Sequence, residues 1–344
     1  MGRLSQYDAL VRCGAEMLIL VTGGTGFVGS HVVERSVAAG ARVRCLVRAS
    51  SSLRYLPREG IEVVLGDLAA GTGLDQALEG VAVVAHVGGV TKALSEAAFY
   101  QGNLRATENL LRACERRGDS LRRFVHVSSL TAIGPSPGLA PLDEDAAPHP
   151  LTWYGRSKLA AEDAVRASAL AGRAVILRPP VVYGQRDTDV FEVLRSIARG
   201  VMVCIGRDES YFSYIHVKDL AEAVWLAVAG EAGAGRTYFV ANPEPASWTE
   251  FAQVAASIMG RRVRLVGVPA PLAYLAGWCS EGVSRLRGRP GIVSRQKIIE
   301  ARCRYWTCDA TRARHELGFQ PARSLREGLE ETLAWYKDSK WLKW

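Results

Sequence analysis

The segment Thr22-Gly23-Gly24-Thr25-Gly26-Phe27-Val28-Gly29 follows an apolar run at 17–21 and opens a helical pattern that stops at Gly40. Gly23 permits a tight turn, and Gly26 lets backbone N–H groups approach a pyrophosphate. Gly29 allows the helix to pack closely on the strand. The helix N-terminus then faces the negative charge of the ligand. This strand–turn–helix unit predicts a dinucleotide-binding site at the start of the chain.

Outward from this segment, the first half of the chain alternates short apolar runs with helical patterns. Runs of β-branched residues separated by helices are typical of a parallel sheet that is covered on both faces. We therefore predict an α/β fold with a doubly wound Rossmann sheet. Further strands are expected at 42–47, 62–65, 81–86, 124–128 and 174–178, and helices at 29–39, 74–78, 98–117, 154–170 and 216–228.

After Pro179-Pro180 the pattern becomes irregular, which predicts a smaller, discontinuous C-terminal substrate-binding lobe. We divide the chain into an N-terminal extension at 1–16, a Rossmann domain, the smaller lobe, and a C-terminal helix or tail at 321–344. The Rossmann domain would comprise 17–178 with about 213–234 and 306–320, and the lobe about 179–212 and 235–305.

Composition excludes several classes of function. The 344 residues carry a net charge of +8, but the basic residues are scattered and not interleaved with aromatics, which argues against nucleic acid. The seven cysteines form no paired framework, which indicates a reducing, cytoplasmic compartment without disulfides, and no spacing predicts a metal site. No apolar run reaches the ~18 residues of a membrane span.

The end of the second strand decides which cofactor the site prefers. An acidic residue at this place would hold the ribose hydroxyl of NAD, whereas an arginine accommodates the 2′-phosphate of NADP. The strand ends in Val47-Arg48-Ala49-Ser50-Ser51, and no acidic residue occurs until Glu59. We predict that NADP(H) is preferred, with Arg48 and Ser51 on the phosphate, and that NAD(H) remains usable; the alternative is a solvated Arg48. Asp67-Leu68, after the third strand, would contact the adenine or cap a helix.

Tyr154 and Lys158 lie four residues apart in Tyr154-Gly155-Arg156-Ser157-Lys158, which places them on one face of a helix. A lysine cation near a tyrosine favours the phenolate and lowers the tyrosine pKa. The pair is therefore a candidate proton donor and acceptor for an alcohol or a carbonyl near neutral pH.

Taken with the glycine turn, these motifs resemble the extended branch of the short-chain dehydrogenase/reductase superfamily, the NAD(P)-dependent epimerase/dehydratase family. The resemblance extends from Leu18 to about Trp335. It implies that the cofactor is bound by Gly23, Thr25, Gly26, Phe27, Val28, Arg48, Ser51, Asp67, Leu68, Val87, Gly88, Asn103, Val127, Tyr154, Lys158, Pro179 and Val182.

The same resemblance implies three catalytic roles. Tyr154 would exchange the substrate proton, and Lys158 would hold the nicotinamide ribose and lower the pKa of Tyr154. Ser129, rather than Ser128, would orient the reacting oxygen because it lies closer to the end of the fifth strand. Substrate contacts are expected from Val90, Thr131, Tyr183, Phe212 and Trp278.

Two departures from the sugar-nucleotide members point to a different substrate. Those members carry an asparagine after the sixth strand, where this chain has Pro180-Val181-Val182. They also carry an arginine before a Tyr-Ile-His-Val segment, where Phe212 stands here. A buried pyrophosphate needs cationic or donor partners. Apolar replacements therefore argue for a lipophilic substrate, although Arg186 or Arg207 could compensate.

The smaller lobe contains an apolar helical segment at 268–278 that ends in Trp278. It resembles the lobes of 3β-hydroxysteroid dehydrogenases and dihydroflavonol reductases; ordinary core packing is the alternative. The tail at 335–344 interleaves aromatics with lysines, which predicts a helix docked on the sheet domain, or else weak peripheral membrane contact.

The leading hypothesis is an oxidoreductase that interconverts a secondary alcohol and a ketone on a steroid-like or aromatic small molecule. A nucleotide-sugar epimerase or dehydratase is the first alternative. A cofactor-binding regulator without chemistry is the second. The family resemblance also implies a homodimer formed through two long helices.

Overall fold

The computed structural model describes residues 17–206, 208–291 and 294–344. The N-terminal extension predicted for 1–16 lies outside the described residues, as does Arg207, one of the two arginines considered for a diphosphate.

A seven-stranded sheet with all strands parallel forms the centre of the molecule, in the order β3-β2-β1-β4-β5-β6-β11. This confirms the predicted Rossmann fold. The strands are β1 (Leu18–Thr22), β2 (Arg42–Val47), β3 (Ile61–Leu65), β4 (Val83–His86), β5 (Arg123–Val127), β6 (Ala174–Arg178) and β11 (Arg236–Phe239).

Alternate side chains of each strand enter two separate cores, because successive residues of a strand point to opposite faces of the sheet. On β1, Ile19 and Val21 contribute to one core and Leu18 and Leu20 to the other. The first core is covered mainly by α1 (Phe27–Ala38) and α7 (Val217–Ala229), with α11 (Thr311–Glu316). The second is covered by α2 (Leu74–Ala77), α4 (Ala106–Glu115) and α5 (Trp153–Ala167). Ahead of α4, α3 (Glu96–Tyr100) continues into a π-helical turn, Gln101–Arg105.

The smaller lobe is built from short strands and helices that surround a third, aromatic-rich core. Its helices are α6 (Asp189–Ala198), α8 (Trp248–Ile258), α9 (Ala270–Arg287) and α10 (Arg295–Ala301). Small sheets pair β7 (Val181–Tyr183) with β10 (Tyr214–His216), β8 (Val201–Ile205) with β13 (Arg264–Val268), and β9 (Tyr211–Phe212) with β12 (Ala246–Ser247) and β14 (Tyr305–Trp306).

Strand β11 corrects one predicted boundary. Residues from about 235 to 305 are predicted to belong to the smaller lobe, but Arg236–Phe239 pairs in parallel with β6 and forms one edge of the main sheet. A strand of only four residues that follows a glycine-rich turn is weakly indicated by the sequence. Their place in the sheet is fixed by pairing with a strand some sixty residues earlier.

The tail corrects a second expectation. Helix α12 (Leu325–Asp338) docks by its aromatic face mainly on the core of the smaller lobe, and its Trp335 also meets Tyr55 of the sheet domain at 6.5 Å between ring centroids. Tyr336 is buried and stacks on Trp341 at 5.6 Å between ring centroids, and Trp341 also meets Phe191 of α6. These tail aromatics are therefore engaged in packing. Within the described residues, no helix is both long enough and apolar enough to cross a bilayer.

A buried ion pair joins helix α5 to strand β6. The Glu162 carboxylate accepts hydrogen bonds from Arg178 Nη2 at 2.6 Å and Nε at 3.0 Å, and both side chains are almost wholly excluded from solvent. Burial alone would raise the pKa of Glu162, but the hydrogen bonds and charge of Arg178 outweigh burial and hold that pKa below its usual value. The exposed Arg166 provides a further contact to the same carboxylate.

We predict that Arg178→Met lowers the free energy of unfolding by about 3–5 kcal/mol, because it leaves the Glu162 carboxylate buried with too few partners. Arg166→Met, which removes the exposed partner of the same carboxylate, serves as the matched control and should cost no more than about 1 kcal/mol. Urea unfolding measures both. Equal losses for the two variants would contradict the importance of the buried pair.

Candidate cofactor and active site

The glycine turn forms a narrow cradle at the carboxyl end of β1. Gly23 has a φ of 73°, and a Cβ atom on it would lie 2.6 Å from the Cα atom of Gly88 in the loop after β4. A Cβ on Gly29 would lie 2.0 Å from the carbonyl oxygen of Gly23. Gly26 precedes α1 and provides no side-chain cap, so the first N–H groups of the helix are left for another acceptor. These features fit the pyrophosphate of a dinucleotide.

The adenosine side of the site is formed by residues after β2 and β3. Arg48 is exposed and makes no side-chain hydrogen bond or ion pair with any described residue. A turn closed by the Ser51 N–H on the Arg48 carbonyl at 2.9 Å keeps the two residues together. Asp67 accepts a hydrogen bond from the Ala70 N–H at 3.0 Å and so caps a turn, not the next helix, which begins only at Leu74.

Asn103 secures the loop that follows β4. Its Oδ1 accepts from the Val90 N–H at 2.7 Å, and its Nδ2 donates to the Val90 carbonyl and to Ser157 Oγ. The amide of Asn103 is therefore occupied within the protein and ties this loop to helix α5. The residues predicted to contact cofactor, Val87 and Gly88, lie in the loop that it holds.

Helix α5 brings Tyr154 and Lys158 to the end of β5. Thr152 caps the helix by accepting from the Gly155 N–H at 3.2 Å. A Cβ on Gly155 would lie 2.3 Å from the Thr131 carbonyl oxygen, so this glycine permits the close approach of the helix to the turn that holds Ser129.

Ser129 lies between Thr131 and Tyr154. Thr131 donates from both its N–H and its Oγ1 to Ser129 Oγ, at 3.2 and 2.9 Å. A hydrogen bond also links Ser129 to the Tyr154 phenol. The structure thus brings the predicted Ser129, Tyr154 and Thr131 into one cluster.

Lys158 is held by the backbone at the end of β5. Its Nζ donates to the Val127 carbonyl oxygen at 2.7 Å, and the side chain is 3% exposed. Burial raises the pKa of Tyr154 to about 12, while the hydrogen bond from Ser129 opposes this rise. The predicted lowering of the Tyr154 pKa by Lys158 stays a prediction.

Burial also lowers the pKa of Lys158 to about 8, although the nearby Glu162 carboxylate favours the cation. A group whose pKa is lower in the folded than in the unfolded protein destabilises the fold while it is protonated, and the effect fades as pH rises from the folded towards the unfolded pKa. The chain thus keeps a cation at the base of the site at a cost in stability.

A cleft that is open to solvent lies in front of Tyr154. Its apolar walls include Leu94, Phe99 and Trp153, and three cations also reach it, namely Lys92, Arg285 and Lys297. Lys92 is ion-paired with Asp189, and Lys297 lies 3.6 Å from Glu300. The cleft therefore combines an apolar wall with charged side chains, two of which are paired with carboxylates.

Three predicted substrate contacts are corrected by the structure. Tyr183 and Phe212 are buried in the core of the smaller lobe, where Phe212 stacks on Trp248 at 4.1 Å between ring centroids. Trp278 is 63% exposed and does not line the cleft. Phe212 therefore does not present an apolar surface to substrate in place of an arginine. Val90 packs on Gly102. It immediately precedes Thr91, which lines the cleft.

The sequence analysis missed the contribution of α10 to this cleft. Gln296 Oε1 accepts from the Trp153 N–H at 2.8 Å, and Glu300 Oε1 accepts from Thr152 Oγ1 at 3.0 Å. Both contacts lie at the start of α5, beside Tyr154. No local pattern signals them, because the paired residues are more than 140 positions apart in the chain.

Arg186, the other arginine considered for a diphosphate, is directed elsewhere. It donates to Ser30 Oγ at 2.9 Å, pairs with Glu34 of α1, and stacks over the Tyr55 ring. Pro179 accepts from the Leu130 N–H at 2.9 Å and so supports the turn after Ser129. Val182 is half-buried in β7. No cluster of three or more metal-ligating side chains is found among the described residues.

We predict that Lys158→Met raises the free energy of unfolding at pH 7 by up to about 3 kcal/mol, because it removes a cation whose pKa is lowered from 10.5 to about 8. The gain over wild type should shrink as pH rises from 8 towards 10.5. Urea unfolding at pH 7 and pH 9.5 tests this, with the exposed Lys343→Met as control. A variant that is less stable at pH 7, or a difference independent of pH, would show that Lys158 is not strained by burial.

Comparison with known proteins agrees with this geometry. The model of the NAD dependent epimerase/dehydratase family matches residues 19–241. The ceramide reductase of Caulobacter vibrioides is 31% identical over 329 residues, covering 95% of this chain and 97% of that protein. The N-acetyl-alpha-D-glucosaminyl-diphospho-ditrans,octacis-undecaprenol 4-epimerase of Escherichia coli O157:H7 is 26% identical and covers 92% of this chain and 94% of its own length.

Among solved structures, the UDP-glucose 4-epimerase of Thermotoga maritima, crystallised with UDP-glucose, superposes with a TM-score of 0.77. It covers 94% of this chain and all of its own, and at 23% identity this likeness shows the fold alone. The family model spans well over half of the residues, and the reductase is similar along nearly the whole length. The chain therefore belongs to the NAD dependent epimerase/dehydratase family.

Proposed function

We propose that this protein is an NADP(H)-preferring oxidoreductase that interconverts a secondary alcohol and a ketone on a lipophilic small molecule. The observation that carries the proposal is the cluster of Ser129 and Tyr154 at the cleft, with Lys158 one helical turn below. A regulator without chemistry would have no physical need for a phenol poised between a serine and an open cleft.

The protonation state of Tyr154 suits the role of proton donor. With its pKa raised to about 12, the Tyr154 phenol keeps its proton at neutral pH and can donate it to a carbonyl oxygen in the cleft. Ser129, whose Oγ already accepts from Thr131, can direct its own proton to the same oxygen and orient it. The bound nicotinamide would supply the hydride. Lys158 would hold positive charge beneath the phenol as the proton leaves.

Two sets of observations support a lipophilic substrate. Leu94, Phe99 and Trp153 give the cleft an apolar side next to Tyr154. The Caulobacter vibrioides relative is named for the reduction of ceramide, a lipid. The cations Lys92, Arg285 and Lys297 on the other side suit a polar head group, so an amphipathic lipid fits the cleft better than a steroid without charge.

A sugar 4-epimerase is the second candidate, and the same three cations favour it. They could bind a diphosphate, a contact that the sequence analysis sought at Arg186 and Arg207. The relative from Escherichia coli is named as an epimerase of a lipid-linked sugar diphosphate. Net cofactor turnover separates the candidates, because an epimerase returns its cofactor to the starting state and an oxidoreductase consumes it.

We predict that Tyr154→Phe lowers kcat for ketone reduction by about 10²–10⁴-fold, since the proton donor is lost. NADPH affinity should stay within a few-fold, because the phenol is not part of the phosphate cradle. Consumption of NADPH and fluorescence titration measure the two effects, with Tyr100→Phe as control. Undiminished turnover by Tyr154→Phe would end this mechanism.

Arg48→Ala tests the cofactor preference. One charge-assisted hydrogen bond is worth about 1.5–3 kcal/mol, so NADPH should bind at least about 10-fold more weakly while NADH affinity hardly changes. Titration of both cofactors measures this, and Arg58→Ala, another exposed arginine nearby, is the control. If both cofactors lose affinity equally, Arg48 does not contact the 2′-phosphate.

A further inference from the structure

Helix α9 exposes an apolar face to solvent, the reverse of an ordinary surface helix. Five large side chains on it are strongly exposed, with Leu286 the most exposed at 90%. The others are Leu272, Leu275, Trp278 and Val283, exposed by 45–63%. We propose that this face is a docking surface for an anionic lipid membrane.

The exposed side chains form one continuous stripe. At 3.6 residues per turn, Leu272, Leu275, Trp278, Val283 and Leu286 fall within an arc of about 140° around the helix axis. Pro271, Cys279 and Gly282 occupy the rest of this arc, so it contains no charge. The opposite face is turned inward: Ser284 is buried, and Gly277 lies so close to α10 that a Cβ would meet Ile298 at 2.5 Å.

Arginines flank the apolar stripe. On the same helical wheel Arg285 lies at one margin and Arg287 at the other, and Arg289 follows the helix. Three more, Arg261, Arg262 and Arg264, precede it and are exposed.

Between residues 261 and 291 the only acidic residue is Glu281. Its carboxylate is occupied by the N–H and Nε of Arg295, at 2.8 and 2.9 Å. The segment that carries the stripe is therefore strongly cationic.

The apolar stripe and its arginines together indicate which partner covers this face. An apolar stripe bordered by arginines is typical of helices that lie in the plane of a membrane, with apolar side chains among the acyl chains and cations among anionic head groups. A second copy of the chain would bring the same arginines against each other in a two-fold contact, which opposes self-association through this face. The charges thus favour an anionic bilayer over another copy.

The position of α9 gives the docking a consequence. Glu281, Ser284 and Arg285 of this helix line the cleft in front of Tyr154, while its other face would rest on the bilayer. A docked protein would hold the mouth of its cleft beside the membrane surface. Membrane binding needs no turnover, so its test can fail or succeed independently of the proposed oxidoreductase activity.

The test is co-sedimentation of the full chain with vesicles of phosphatidylcholine alone or mixed with phosphatidylglycerol. Wild type should bind the mixed vesicles and be released by salt. Leu275→Glu/Leu286→Glu should weaken binding at least about 10-fold, because two apolar side chains are lost from the interface. Arg287→Gln/Arg289→Gln should weaken binding to the mixed vesicles about 30-fold, at about fivefold per cation.

Leu139→Glu is the matched control, since Leu139 is 71% exposed but distant in sequence from α9. It should bind as wild type does, and thermal unfolding should show that all variants are folded. Absence of vesicle binding, or equal binding by the Leu275→Glu/Leu286→Glu variant, would overturn the proposal. So would a dimer in sedimentation equilibrium that this double variant dissociates, because a second copy would then cover the face.

Discussion

The buried ion pair between Glu162 and Arg178 is the contact on which the active-site arrangement depends. It joins helix α5 to strand β6. Tyr154 and Lys158 extend from the same helix, one toward the cleft and one toward the end of β5. A charge pair with three hydrogen-bonded contacts restricts rotation and sliding of the helix more than apolar packing would, because its geometry is directional. The Gly155 contact with Thr131 then sets how closely the helix can approach.

Lys158 is a second charged group that is buried near this pair. Lys158 has a carbonyl oxygen and a carboxylate nearby, but burial still outweighs them in setting its pKa. Such a lysine destabilises the free protein and is available to hold a ligand that brings acceptor oxygens. Burial likewise raises the pKa of the Tyr154 phenol, which borders the cleft. Site chemistry and stability are therefore in opposition at this point, as is common where function requires a buried charge.

In the smaller lobe, the two faces of helix α9 meet different surroundings. The inward face contributes Glu281, Ser284 and Arg285 to the cleft, and the outward face carries the apolar stripe. Helix α10 completes the cleft by hydrogen bonds to the start of α5. The cluster proposed to be catalytic belongs to the sheet domain, so the lobe could vary in chemistry without disturbing the proposed proton transfer. This division explains why members of one family serve ceramide, sugar diphosphates and other substrates with a shared fold.

By itself the sequence determined the Rossmann sheet, the glycine cradle and the Tyr154–Lys158 pair, because each depends on spacings of a few residues. The turn at Gly23 and the helical repeat from Tyr154 to Lys158 are local geometries that do not depend on where the segment lies in the fold. Only the tertiary structure decided the rest. It placed Phe212 and Tyr183 in a core, joined β11 to the main sheet, and brought Gln296 and Glu300 to Tyr154. It also turned the apolar side of α9 to solvent. These outcomes rest on contacts between residues far apart in the chain, and local periodicity carries no information about which distant surface an apolar or polar side chain will meet.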